Sequence, residues 1–196
     1  MRRKLIAAAA AAAVIVAVVI GLSQAPTTDT DPEPTTFSLA QARKDLAGSP
    51  VELAALHVQS SQLLDGGKDA VKARLTALKG TPVVVNKWAS WCGPCRAEFP
   101  YLQRSSTTYG KEVAFVGLNS GDNDDDAASF LKKFPVPYPS YKDPREKVAL
   151  ALKASTNYPI TIFYDASGKQ VYLHQGGYPT QEKLDADLKK YLKLGT

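Results

Sequence analysis

The chain has two cysteines, Cys92 and Cys95, three positions apart in the stretch Trp91-Cys92-Gly93-Pro94-Cys95. Upstream, Thr81 to Trp88 (TPVVVNKW) is a β-branched, apolar run that predicts a buried strand, and the pattern from Cys92 to about Tyr109 predicts a helix interrupted near Pro100. A strand feeding directly into CxxC at a helix start leaves few folds open. It puts Cys92 near the N-cap, where its sulfur can accept the orphan amide hydrogen of Cys95 and the helix dipole favours negative charge. That setting lowers a thiol pKa from about 8.5 into roughly 3.5–7.5, and the thiolate is the attacking species, so Cys92 is the expected nucleophile. Cys95 lies one turn further on the same face, shielded yet close enough to resolve a mixed disulfide on Cys92. Pro94 falls in the first turn, where an amide has no intrahelical acceptor, and fixes φ.

Two other uses of the pair carry less weight. A structural staple closing so short a loop gains little loop entropy. A metal site needs more ligands than Cys92, Cys95, His57 and His174 offer at any standard spacing. No metal and no cofactor are expected.

The net charge of +5 hints at nucleic acid until it is located. Arg2, Arg3 and Lys4 supply +3 in a segment without acids, leaving +2 for Pro26 to Thr196, and no basic cluster with interleaved aromatics follows. No nucleic-acid partner is expected. Directly after the basic triplet, Leu5 to Leu22 is an apolar or small-residue run of 18, long enough for about 27 Å of helix against a hydrocarbon core of ~30 Å. Residues 1–25 therefore read either as a membrane anchor or as a signal peptide cut after Ser23-Gln24-Ala25; the length favours the anchor. Either way the remainder is expected outside the cytoplasm, tethered by one N-terminal helix or, if cut, secreted. Residues 26–36 (PTTDTDPEPTT) read as a solvated linker.

Residues 37–80 read as a helical extension. Ser38 with Gln41, and Ser49-Pro50-Val51-Glu52, fit capping boxes, and Gly66-Gly67 breaks the pattern before a helix with Val71, Leu75 and Leu78. His57 to Leu64 also fits an edge strand. Residues 81–196 read as one α/β domain: after the cysteine helix come a strand at Glu112 to Leu118, a helix around Ala127 to Phe134, a proline-rich loop, and a helix from about Pro144 to Ala154. A hairpin (Ile160 to Tyr164, Lys169 to His174) and a C-terminal helix with Leu184, Leu188, Tyr191 and Leu192 follow. The fold class is an α/β sheet with helices on both faces.

The stretch VVVNKWASWCGPCRAEFP, with AFVGLNSGDNDDD, YPITIFYDASGKQV and the C-terminal helix, resembles thioredoxin-fold proteins, specifically the membrane-anchored extracytoplasmic thiol–disulfide oxidoreductases of the ResA/TlpA type. The resemblance runs from about Gly80 to Leu192. It implies a thioredoxin-like sheet, a redox disulfide between Cys92 and Cys95, and a cis-proline at Pro159 opposite them. It further implies a substrate surface of Trp91, Gly93, Pro94, Tyr158 and Pro159, with the Tyr158 backbone pairing with a bound peptide. Thioredoxin has a buried aspartate where Asn86 stands here, and an amide takes no proton from Cys95. The anchored relatives carry instead a glutamate three residues after the second cysteine; Glu98 stands there, and a carboxylate one turn from Cys95 suits a base for resolving and an acid for recharging. Lys87 replaces a core aromatic of thioredoxin and must reach an edge or pair with an acid. Strand alternation puts it opposite Asn86 and Trp88, outside the expected site.

The resemblance implies reduction of disulfides in exported proteins, apocytochrome c among them, with electrons from a membrane-embedded thiol reductant. The alternatives are an oxidant of folding proteins, a thiol peroxidase, and a copper-binding thiol module; the copper-carrying relatives space their cysteines CxxxC with a partner histidine, unlike CxxC here. The run Asp122-Asn123-Asp124-Asp125-Asp126 lacks the glycine and glutamate of a calcium loop, with Ala127 and Lys133 at those places, and reads as a helix cap. His57 and His174 are isolated, and Tyr138 and Tyr141 read as core residues.

Overall fold

A computed structural model describes residues 37–154 and 157–195. The expected anchor or signal helix and the linker at 26–36 lie outside them. Among the described residues no helix is long and apolar enough to cross a membrane.

The N-terminal part comprises α1 (Leu39–Asp45), α2 (Val51–Val58), the two-residue strand β1 (Leu63–Leu64) and α3 (Gly67–Ala77). Both readings of His57 to Leu64 are thus partly met: the helix ends at Val58, and Leu63–Leu64 then pairs in parallel with a later strand. Ser38 caps α1 through Gln41 N–H at 3.2 Å, but the Gln41 side chain turns to Asp45, so only half of that box forms. At α2 the N-cap is Pro50, because the Ser49 hydroxyl donates instead to Leu46 O at 2.6 Å.

The rest runs β2 (Val83–Trp88), α4 (Gly93–Thr108), β3 (Ala114–Ser120), α5 (Asp124–Lys133), β4 (Ser140–Asp143), α6 (Lys147–Ala151), β5 (Ile160–Tyr164), β6 (Gln170–Gln175) and α7 (Gln181–Leu192). The sheet order is β1-β4-β3-β2-β5-β6, with the β1–β4, β4–β3 and β3–β2 pairs parallel and the β2–β5 and β5–β6 pairs antiparallel. This is the expected thioredoxin-like arrangement, extended by β1 at one edge.

Three expectations are corrected. β4 occupies what reads as a proline-rich loop: Ser140 to Asp143 is too short for a period to declare itself, and Tyr138 and Tyr141 are buried beside it. The helix expected from Pro144 to Ala154 shrinks to α6, because Asp143 accepts the amides of Val148 and Ala149 and starts it late. Helix α4 runs through Pro100 without a break; the proline removes one donor, and buried Phe99 and Leu102 on either side hold the helix to the sheet.

Strand alternation sorts the core into two layers. Val84, Trp88, Phe115 and Phe163 meet α4, α5 and α7, with Phe99, Phe130 and Leu184 among the residues contributed from those helices. On the other face Val83, Val85, Val116, Leu118, Ile160 and Ile162 meet Leu53 and Leu56 of α2, Val71 of α3 and Val148 of α6, so the N-terminal helices complete this layer. Gly117 is required where β3 passes Trp88: a Cβ there would lie 2.0 Å from Ser140 Oγ, which accepts the Trp88 indole N–H at 3.1 Å.

Central β2 is buried along its whole length, yet it carries Asn86 and Lys87. Lys87 is fully buried on the second layer, and its ammonium lies 2.8 Å from Glu146 Oε2. An ammonium at such a depth is tolerated only with a partner, and removing one member of a buried pair costs about 3–5 kcal/mol, less where the partner is partly solvated, as Glu146 is. Glu146→Ala is therefore expected to lower stability by about 2 kcal/mol, read as a fall in the urea midpoint at unchanged slope, whereas Lys87→Met stays within about 1 kcal/mol of wild type. The opposite order would show that this pair is not what makes the buried lysine tolerable.

Candidate active site

β2 ends at Trp88, and four residues later the chain turns into α4 with Cys92 as its N-cap. The connecting turn is held from two sides. Asp122, just beyond β3, accepts Ser90 N–H at 2.6 Å and the Ser90 hydroxyl at 2.8 Å, and Arg96 Nε donates to Ser90 O at 2.9 Å. With Ser90 fixed, Cys92 Sγ accepts the Cys95 amide at 3.1 Å, and Pro94 lies in the first turn. Cys92 and Cys95 form a disulfide. Cys92 keeps 3% of its surface and Cys95 none, so an incoming sulfur can reach only Cys92.

The exposed flank is aromatic. Trp91 is 57% exposed, its indole N–H donates to Gly121 O at 2.9 Å, and its ring meets Tyr158 edge-on with centroids 4.9 Å apart. The Tyr158–Pro159 bond is cis. On the other side Gly177 lies against Pro94, where a Cβ would approach Pro94 O to 3.1 Å. Gly93 has open space above it. Trp91, Gly93 and Pro94 thus flank or separate the two cysteines in sequence, and the Trp91 ring contact brings Tyr158, with Pro159 after it, to the same flank.

Below it lies Glu98, three residues on from Cys95 and fully buried. Asn86 Nδ2 donates to its Oε1 at 2.8 Å and Tyr178 N–H to its Oε2 at 3.0 Å. The Asn86 amide also reaches Thr161 Oγ1 at 3.3 Å. Desolvation raises the Glu98 pKa from an ordinary 4.5 to about 7, against the two donors, which favour the charged form. These two bonds leave lone pairs free on each oxygen, so the carboxyl can take a proton without losing either donor. Tyr178 is itself anchored: its hydroxyl donates to Asp187 Oδ2 at 2.8 Å and its ring stacks on His174 at 3.9 Å. Burial raises the Tyr138 hydroxyl, and a charged Glu98 adds to the rise.

Asn86, Thr161 and Tyr178 are site residues that the sequence reading missed. Asn86 was read only as the absence of an acid. An amide on the inward face of an otherwise apolar strand still needs a buried partner, and that signal points across to the helix bearing Glu98. Tyr178 acts through its backbone, so no side-chain pattern marks it. Lys87, placed outside the site, reaches its edge: its ammonium lies 3.8 Å from the centroid of the Tyr158 ring. The acidic run divides as capping predicts, with Asn123 accepting the Asp126 amide at 2.9 Å and Asp124 to Asp126 in the first turn of α5. His57 lies beside Gly110, and His174 reaches the site's edge by stacking on Tyr178 and hydrogen-bonding the backbone of Gly177, which lies against Pro94.

Comparison with known proteins agrees with this geometry. Thiol-disulfide oxidoreductase ResA of Bacillus subtilis (strain 168) is 31% identical over 106 residues, which are 54% of this chain and 59% of that protein. ResA of Bacillus thuringiensis (strain Al Hakam) is 30% identical over 120 residues, 61% of this chain and 68% of that protein. Among solved structures, a Chlorobium tepidum protein described as a thiol:disulfide interchange protein DsbE superposes with a TM-score of 0.53 at 29% identity, over 60% of this chain and 84% of that one. The profile of the family described as Redoxin matches residues 23–188. With that match over most of its length and a ResA relative covered across more than two thirds of its own, the chain belongs to the Redoxin family, as a thiol–disulfide oxidoreductase of the ResA/TlpA type.

Proposed function

We propose that this protein reduces disulfides of exported proteins outside the cytoplasm, with Cys92 as nucleophile, Cys95 as resolving thiol and Glu98 as proton carrier. The observation that carries the reading is a buried carboxyl, poised near neutrality, one turn below a redox pair of which only the outer sulfur is reachable.

In the reduced enzyme the Cys92 thiolate attacks one sulfur of a substrate disulfide. A mixed disulfide forms and the other substrate sulfur leaves as thiolate. Glu98, as carboxylate, takes the proton of Cys95, whose thiolate attacks Cys92 Sγ. The Cys92–Cys95 bond forms, the second substrate sulfur is released, and two electrons have passed to the substrate. Recharging runs in reverse: a thiol reductant attacks Cys92, and Glu98 returns the proton to the departing Cys95 thiolate. The shelf of Trp91, Gly93, Pro94, Tyr158 and Pro159 presents the substrate segment to Cys92. A membrane-embedded dithiol protein is the proposed electron donor, an N-terminal anchor the proposed tether, and apocytochrome c a candidate substrate awaiting haem attachment.

Cys92→Ser is expected to abolish turnover of disulfides, and Cys95→Ser to accumulate mixed disulfides in cells. Trapped adducts with reduced-pathway proteins support the reading. Adducts with newly oxidised folding proteins, or a Cys92 product formed with peroxide alone, would replace it by oxidant or peroxidase chemistry.

Glu98 adds two pH signatures. Resolution of a preformed mixed disulfide should quicken through an apparent pKa near 7, and Glu98→Gln should slow it by about 10²-fold and flatten the profile. Stability moves the opposite way. Folded Glu98 holds its proton up to about 7 and the unfolded group only to about 4.5, so folding takes up a proton between these values, and the cost of burying the charge grows as pH rises through that window. The stability advantage of Glu98→Gln, measured by urea unfolding, should therefore be small below about pH 4.5 and widen up to about pH 7. An advantage independent of pH would remove Glu98 as the titrating group.

A further inference from the structure

The Lys87 ammonium sits under the segment that leads into the cis-proline. Besides Glu146 Oε2 at 2.8 Å, it lies 3.4 Å from Asn157 O and 3.8 Å from the centroid of the Tyr158 ring. Its backbone is pinned in the middle of the sheet, opposite Leu118 of β3 and Ile160 of β5. Glu146, in left-handed conformation at φ 54°, is the N-cap of α6. Tyr158 is bounded from above as well. Trp91 packs on its ring, and Gly121, at φ +59° and carrying no Cβ, leaves room for its hydroxyl: a Cβ there would come within 2.7 Å of that oxygen and 3.4 Å of Glu146 Oε1. Residues 157 and 158 are thus held from β2 by a cation that belongs to the opposite layer from Glu98 and the thiols.

We infer that Lys87, held by Glu146, is a positioning residue for substrate recognition: it sets the height and tilt of Tyr158, and so decides how well a peptide flanking the target disulfide pairs beside Cys92. This rests on the proposed reduction of protein disulfides and adds a residue and a role to it. The ammonium touches the ring and the backbone of the preceding residue, and strand alternation turns it away from Cys95 and Glu98, so it acts on binding of a polypeptide and leaves the thiol chemistry alone. A methionine of similar length fills the space without holding carbonyl, ring and carboxylate together.

The test compares two disulfides on the full protein: insulin, which offers backbone to the shelf, and cystamine, which offers none. Lys87→Met is expected to raise KM for insulin about tenfold while kcat and the cystamine rate stay within about twofold. Glu146→Gln, at a partly exposed position and keeping the length and an acceptor oxygen beside the ammonium, should give the same split at about threefold. In a Tyr158→Leu background, adding Lys87→Met should change insulin KM no further, since the ring it positions is gone. Equal losses on both disulfides, an unchanged insulin KM, or additive effects with Tyr158→Leu would overturn the inference while leaving disulfide reduction in place. A wild-type protein inert toward both disulfides would overturn the functional reading and this inference with it.

Discussion

Burial of a polar group in the middle of a sheet has to be matched by a partner, and this molecule does so twice on neighbouring residues of one strand. Asn86 points from β2 into the layer beneath the cysteine helix, where its amide holds Glu98. Lys87 points into the other layer, where Glu146 and the Tyr158 ring receive it. Either side chain without its partner would cost more than an aliphatic residue gains. Both therefore tie β2 to elements far away in sequence, and those elements, α4 on one face and the segment before β5 on the other, are the ones that frame the disulfide.

The division of sulfur roles follows from the helix start. Only the N-cap sulfur is reachable, and it is also the one aimed by an amide at the dipole's positive end. The buried sulfur gains no such help, and desolvation works against its thiolate. In the proposed mechanism a proton acceptor one helical turn from Cys95 answers that deficit. Glu98 suits it because the same dry surroundings that hinder the thiolate hold the carboxyl near neutrality, where it can both take and return a proton.

The central strand, the CxxC helix, the β5–β6 hairpin and α7 were legible in the sequence because each spans enough residues for its period or turn chemistry to declare itself. β4 and the short α6 were not: their limits depend on Asp143, whose carboxylate collects the amides of Val148 and Ala149, and no local pattern encodes that. Within the site the two cysteines and Glu98 could be read from spacing and resemblance. Asn86 was visible as a residue and misjudged as a loss, since its partner sits twelve positions away on a helix whose facing side is known only after packing. Lys87 shows how far alternation alone carries: it assigned the correct face, and that face turned out to support the loop that approaches the thiols from the other side.

On the proposed reading, proton handling and substrate presentation fall to opposite faces of one strand. Asn86 and Lys87 are adjacent in sequence, yet their side chains diverge: one contacts Glu98 and Thr161, the other Glu146, Asn157 and Tyr158. Groups on opposite faces of a strand couple weakly, so a change on one face is expected to shift the pH response with little effect on affinity, and a change on the other to do the reverse. On the proposed reading, this pairing of two buried polar residues on the central strand lets one scaffold keep its thiol chemistry while its recognition of polypeptides is tuned from beneath.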